Sequence, residues 1–243
     1  FYVMPHGGVM PLAIRLETAS TASCVVTPLD ARPRWMMAKA HANSAETHYH
    51  EGIYHLLETH MVSEVFKVST CRHLHPDHPL FQLLDPHFEH NLAIDHLARN
   101  NLLSKGGPID QTMAAGVGGT MDLARGFWQT WNFEDRRFKN EIERRGVGVG
   151  ASVIELFPYR DDGLQLHKAI EDYASGVLRV WDTDEQAVGR DFELAAWSKE
   201  LSGHIPGFPE HIGSVAELCS LVADIIFRAS VQHSAVNNGQ FDT

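Results

Sequence analysis

Three histidines, His50, His55 and His60, recur every five residues inside an apolar, helix-compatible run from Thr47 to His60. That interval constrains the chain more than any other feature. A straight α-helix turns by about 100° per residue, so side chains five positions apart diverge by about 140°. Two such side chains meet a common partner only where the helix widens, as a π-turn does, and such bulges occur mostly at functional sites. The run holds either ordinary helix-face histidines or a metal site that distorts its own helix. In the second case the spacing predicts a π-turn between His50 and His55.

A second stretch, Arg228 to Phe241, carries His233 and Asn237 four residues apart, and Gln240 three residues further on. Positions four apart share one helix face. Imidazole suits borderline metals such as iron, zinc and copper, while an amide oxygen is a harder, weaker ligand. The two stretches together, H-x4-H-x4-H and a late H-x3-N followed by glutamine, resemble the lipoxygenases. These are non-haem iron enzymes that add dioxygen to polyunsaturated fatty acids. Either half alone is a weak signal; the two-part pattern is specific.

The resemblance implies one non-haem iron (Fe2+/Fe3+), with His50, His55 and His233 as histidine ligands and Asn237 as a weak amide ligand. It puts His60 in the helix core or behind the ligands. Gln240 takes the place of an amide that links the metal to the substrate cavity. Ala98, Leu102, Thr112 and Met113 match positions that frame the fatty-acid cavity, Leu102 resembling the bulky residue that directs oxygen. In this family, alanine at the position of Ala98 goes with S hydroperoxides and glycine with R. The implied activity is hydrogen abstraction from the CH2 of a cis,cis-1,4-pentadiene followed by O2 insertion, giving a fatty-acid hydroperoxide. Two alternatives stand beside it: hydroperoxide isomerisation, which some members of the family perform, and a catalytically incomplete chain that only binds fatty acid. A zinc hydrolase is disfavoured, because no HExxH accompanies the histidines.

The resemblance covers nearly all of residues 1–243 but only about the middle third of a typical member. It implies an internal fragment of the catalytic domain, without the N-terminal β-barrel domain and without the C-terminal residue whose carboxylate binds iron. Such a fragment would supply four of five protein ligands and show little oxygenase activity. Any peripheral membrane contact would be made through the missing N-terminal domain.

Composition narrows the class independently. With 44% hydrophobic and 21% charged residues the chain has the balance of a single globular core. A net charge of −11 argues against nucleic acid as a partner. Cys24, Cys71 and Cys219 are odd in number, far apart and form no CxxC unit, which points to a reducing compartment. The expected location is cytoplasmic or peripheral to a membrane. Of the 16 histidines, 11 lie between His41 and His96, so most of them serve something other than one metal. His73, His75 and His78 sit among prolines and read as a polar loop, with zinc binding as the other reading.

The fold class predicted is mainly α, a helical catalytic-domain core with a few short strands near the N-terminus. A long helix runs from Trp35 to about Val65. Leu80–Leu84 is a short helix and His87–Leu103 a longer one. The Gly116–Thr120 run reads as a glycine-rich turn before a helix over Met121–Trp131, since it lacks the lysine ending of a phosphate loop. Glu134–Arg145 reads as one charged helix with Phe138 and Ile142 inward. A further helix begins near Tyr159, and another covers Asp182–Leu201 with Phe192, Trp197 and Leu201 buried. Ser214 caps the last helix, which carries His233.

Overall fold

The computed structural model describes residues 1–4, 8–17, 23–150, 154–179 and 187–238. Two antiparallel hairpins open the chain. Strand β1 (Tyr2–Val3) pairs with β2 (Val9–Met10), and β3 (Ile14–Glu17) pairs with β4 (Ser23–Val26), with Ile14 opposite Val26 and Glu17 opposite Ser23. All other regular structure among the described residues is helical.

One uninterrupted helical rod follows the hairpins. It begins as α1 (Arg32–His48), with Pro33 in the first turn, where its missing N–H removes no hydrogen bond. It continues as a π-helical segment (Tyr49–Met61) and ends as α2 (Val62–His73). Leu74 turns extended and Pro76 lies just beyond. His78 then starts α3 (Pro79–Leu84), its Nδ1 accepting from the Leu80 N–H.

The expected helix over His87–Leu103 is shorter and preceded by a break. Pro86 sits in a 3-10 turn (Asp85–Phe88), and His90 takes a left-handed conformation (φ 63°) before α4 (Asn91–Asn100) begins. After α5 (Pro108–Thr112), the glycine-rich run is not a turn but the opening of α6 (Gly116–Trp128). Asp110 explains this: its Oδ1 accepts from the Val117 N–H and so caps the glycine run into helix. The charged helix over Glu134–Arg145 is likewise divided. A 3-10 turn (Glu134–Arg136) and an extended Arg137 precede α7 (Phe138–Arg144), whose Phe138 and Ile142 are buried.

The later helices are α8 (Pro158–Leu178), α9 (Ala187–Arg190), α10 (Phe192–His204) and α11 (Val215–Phe227). A second π-helical segment (Arg228–Gln232) leads into α12 (His233–Asn238). The first turns of the helix expected from Asp182 lie outside the described residues. Trp197 and Leu201 are buried, but Phe192 is 80% exposed, against expectation. It directly follows the cap Asp191, whose side chain accepts from the Leu194 N–H, and Leu194 takes the inward place. Ser214 caps α11 as expected: its Oγ accepts from the Glu217 N–H, and Glu217 accepts from the Gly213 N–H.

From Leu218 to Phe227 every residue of α11 except Ser220 is buried, so this helix is the centre of the molecule. α8 packs along it, and α2 and α10, packed on each other, share the same buried core. Phe66, Phe133, Trp197 and Phe208 meet edge to face in the core, with ring centroids 5.1–5.9 Å apart where they touch. No helix among the described residues is long and apolar enough to cross a membrane.

A second, smaller core locks α7 to α8. The Phe138 ring lies against Phe227, Tyr159 and His167. A Cβ on Gly163 would stand 2.5 Å from Phe138 Cζ. Alanine gains roughly 1 kcal/mol of helix propensity over glycine, but overpacking costs about 1–3 kcal/mol where neighbours cannot move. Three rings hold Phe138 in place, so Gly163→Ala should lower the unfolding free energy by ~1 kcal/mol or more. A urea titration checks this; a stabilised variant would show that the ring moves freely.

Candidate metal centre and apolar cavity

The π segment resolves the geometric difficulty posed by the five-residue spacing. Its backbone bonding runs from each N–H to the carbonyl five residues back, as from Val62 to Leu57. Residues five apart therefore stand one above the other. The predicted π-turn is present, and it extends over Tyr49–Met61. The pair it aligns into a site is His55 and His60, whose Nε2 atoms are 3.1 Å apart. The second π segment delivers His233 to the same point, its Nε2 3.1 Å from that of His60. One ligating nitrogen from each of the three rings lies within 4.8 Å of the others.

His50 is not brought into this group, which corrects the expected set of His50, His55 and His233. Its Nε2 donates to the Val236 carbonyl at 2.7 Å, tying the start of the π segment to α12. The physical reason is position relative to α12. Both intervals, 50 to 55 and 55 to 60, equal five, so the π geometry serves either pair. His233 stands beside the second. His60, expected behind the ligands, is at the centre of the cluster. Asn237 lines the adjoining cavity, and its amide donates to Asn238 Oδ1 at 3.3 Å. Gln240 lies outside the described residues.

Carboxylates set the tautomers of two rings. His55 Nδ1 donates to Glu51 Oε2 at 2.9 Å, and His60 Nδ1 donates to Asp95 Oδ1 at 2.7 Å. Asp95 is buried, and Asn91 Nδ2 donates to its second oxygen at 3.2 Å. With its proton held on Nδ1, each ring turns an Nε2 lone pair inward. Burial, and then repulsion from His60 and His55, pushes the His233 pKa down to about 4, with Asp95 opposing. His233 is therefore a neutral imidazole at neutral pH, the form that ligates metal.

Behind the cluster the π segment is anchored by Glu58, which is fully buried. Its carboxylate accepts from Trp131 Nε1 (3.0 Å), Arg136 Nε (2.5 Å) and Gln232 Nε2 (3.0 Å). Sequence reasoning missed Glu51, Asp95 and Glu58. Glu51 lies one turn before His55, and Glu58 is a carboxylate inside an apolar run, so both left a signal. Asp95 is 35 residues from His60 and left none.

A cavity of about 280 Å³ opens beside the three histidines. Its wall is mostly apolar, with Leu56, Ile94, Ala98, Leu102, Ile109 and Thr120 among the lining residues. Ala98 and Leu102 are thus placed where the sequence expects them. Thr112 and Met113 are not in the wall: Thr112 is exposed with its hydroxyl donating to the Pro108 carbonyl, and Met113 is buried elsewhere. α5 ends at Thr112 and the backbone turns extended at Met113, which takes both away from the cavity that Ile109 reaches.

A helical domain with three converging imidazoles beside an apolar cavity is the class that the fold and the site define. Comparison with known proteins narrows the class. The lipoxygenase family model matches residues 1–243. The chain is 34% identical to the allene oxide synthase-lipoxygenase protein of Plexaura homomalla, over 100% of this chain and 24% of that protein. It is 34% identical to the polyunsaturated fatty acid lipoxygenase ALOX15 of Mus musculus, over 99% of this chain and 37% of the relative. An anaerobic crystal structure of a LOX variant in complex with arachidonate superposes with a TM-score of 0.92 at 33% identity, covering 99% of this chain and 37% of that one. Coral 8R-lipoxygenase gives 0.89, with 99% and 37% covered. The chain belongs to the lipoxygenase family. It spans between about a quarter and two fifths of the length of the relatives named here.

The neutral state of His233 has a measurable consequence. The unfolded ring takes up its proton near pH 6.5, and the folded ring resists until about 4. Between these values the unfolded state binds more protons, so metal-free protein should lose stability as pH falls from about 6.5 to about 4. Urea midpoints across this window test the sign, and His233→Gln should flatten the slope. An unaltered slope would assign the titration to another group.

Proposed function

We propose that the chain is part of a lipoxygenase catalytic domain. It holds one non-haem iron on His55, His60 and His233 and supports dioxygenation of polyunsaturated fatty acids to hydroperoxides. The observation that carries this reading is the convergence of three Nε2 atoms at the wall of an apolar cavity. The donor set fits the metal. Nitrogens bound cis to one another at about 2.1 Å from a common ion stand roughly 3 Å apart; two of the three separations, His55–His60 and His60–His233, are 3.1 Å, and all three ligand atoms lie within 4.8 Å of one another. Asn237, on the cavity wall four residues after His233, remains the candidate for an additional weak amide ligand.

Iron, when bound, supplies the one-electron chemistry that removes hydrogen from the central CH2 of a cis,cis-1,4-pentadiene. The residues of this chain do the rest. Glu51 and Asp95 hold the His55 and His60 protons on Nδ1 and raise the basicity of the ligating nitrogens. The apolar wall receives the acyl chain and excludes water from the reacting carbons. Ala98 and Leu102, one turn apart on α4 and just beyond it, limit the space on one side of that chain. Isomerisation of fatty-acid hydroperoxides is a second reading, supported by the hydroperoxide isomerase ALOXE3 of Homo sapiens at 33% identity over 99% of this chain. Oxygen uptake with unoxidised arachidonate, against consumption of its hydroperoxide without oxygen uptake, separates the two.

Metal analysis tests the ligand set directly. The complete parent protein should bind close to one iron, His60→Ala in it should bind almost none, and His50→Ala should keep its iron while unfolding at lower urea. Loss of iron in the His50 variant with retention in the His60 variant would reverse the assignment.

Product analysis tests the cavity. The Ala98 methyl shields one end of the pentadienyl radical, and a bias of about 1.4 kcal/mol between two barriers is a tenfold product ratio. The complete parent enzyme should give mainly S hydroperoxide, and Ala98→Gly in it should shift both the oxygenated carbon and its hand toward R. Chiral chromatography giving unchanged products would make Ala98 a packing residue.

A further inference from the structure

Two of the three histidines pass their Nδ1 protons to carboxylates, and the third does not. Among the described residues nothing accepts from His233 Nδ1. With a metal on Nε2, the neutral His233 ring carries its proton on Nδ1. Metal-ligating histidines almost always give that proton to a carboxylate, a carbonyl or a water.

A second cavity, of about 70 Å³, shares His60 and His233 with the first. Its other lining residues include Thr59, Ser63, His87 and Asn91 beside Phe88, Ile94 and Ala229, so it is more polar than the larger cavity. Ser63 is 2% exposed, and its hydroxyl has no hydrogen-bond partner; the buried Oδ1 of Asn91 has none either. Buried polar groups are paired with protein or with water in nearly all structures. A water needs roughly 10–15 Å³ of accessible volume, so the cavity has room for a pair.

Resting on the reading of the three histidines as a metal site, we propose that this cavity is a resident water site that orients His233. One water accepts from His233 Nδ1, and the pair donates to Asn91 Oδ1 and bonds to Ser63 Oγ. Asn91 donates its other amide atom to Asp95, which holds His60. The water thereby joins the orientation of His233 and that of His60 in one network, although the two residues stand on different helices. Ser63 and Asn91 are positioning residues; neither touches the metal or the substrate.

The test uses the complete chain with and without metal. Crystals of the wild-type protein should show ordered water within hydrogen-bond distance of Ser63 Oγ, Asn91 Oδ1 and His233 Nδ1. Ser63→Val fills the space and should weaken iron(II) or cobalt(II) binding, measured by chelator competition, by about 10–100-fold. Ser63→Ala leaves room for the water and should stay within about threefold of wild type, well short of that loss. Urea midpoints of the metal-free proteins should be similar for the two variants. Equal loss of affinity in both would assign the effect to the hydroxyl itself, and full affinity in the valine variant would remove the water from the site; either result overturns the proposal. Should the valine variant not fold, a wild-type crystal whose cavity is dry and takes up xenon under pressure overturns it as well. Failure of the wild-type protein to bind metal would count against the metal reading alone, because water in metal-free crystals still reports on this site.

Discussion

A single buried carboxylate, that of Glu58, holds the two π segments together. Glu58 belongs to the first segment; Gln232, which donates to it, and Arg228, 3.8 Å away through Nη1, belong to the second. Arg136 completes the set and accepts in turn, through its carbonyl, a hydrogen bond from Arg228. A carboxylate taken out of water without partners costs several kcal/mol. The arrangement of two cations, an indole N–H and an amide around Glu58 is therefore tightly specified. Because Glu58 lies between His55 and His60, and Gln232 immediately precedes His233, satisfying that one charge also fixes where the three imidazoles stand. The register of the cluster is set by the polar core behind it.

The same economy appears at a second buried acid. Asp224 on α11 accepts from Arg137, from the Phe138 N–H and from His167. Burial opposes its charge, but the His167 hydrogen bond and Arg137 outweigh burial and hold the carboxyl below its usual range. In both cases a carboxylate on a central helix collects donors from distant segments. The helices around α11 are thus joined by directional contacts as well as by apolar packing. Directional contacts choose one arrangement among the many that packing alone allows.

Much of this was legible in the sequence where the signal was local. The five-residue histidine spacing announced a widened helix, and Ser214 announced the start of α11. Local signals misled where a nearby residue overrode them. Asp110 drew the Gly116–Thr120 run into helix, and left-handed His90 broke the helix expected from His87. Which histidines converge was not legible, because 50 to 55 and 55 to 60 are the same interval and only the position of α12 distinguishes them. The same applies to Asp95, which reaches His60 across a fold, and to Thr112 and Met113, which a turn removes from the cavity their neighbour Ile109 lines.

Gly52 lies in the π segment with no side chain of its own, and a Cβ there would stand 3.2 Å from Cγ2 of Thr120. Thr120 cannot easily give way, since its hydroxyl is bound to the Gly116 carbonyl at 2.8 Å and its residue lines the apolar cavity. The helix that carries two of the histidines thus presses directly on a wall of the space beside them. The histidine cluster and the apolar cavity are served by one mechanical part. A substitution that reshapes the cavity from the α6 side will strain the π segment, and one that relaxes the π segment will reshape the cavity. Thr120 is therefore the wall residue at which a larger side chain most directly strains the π segment.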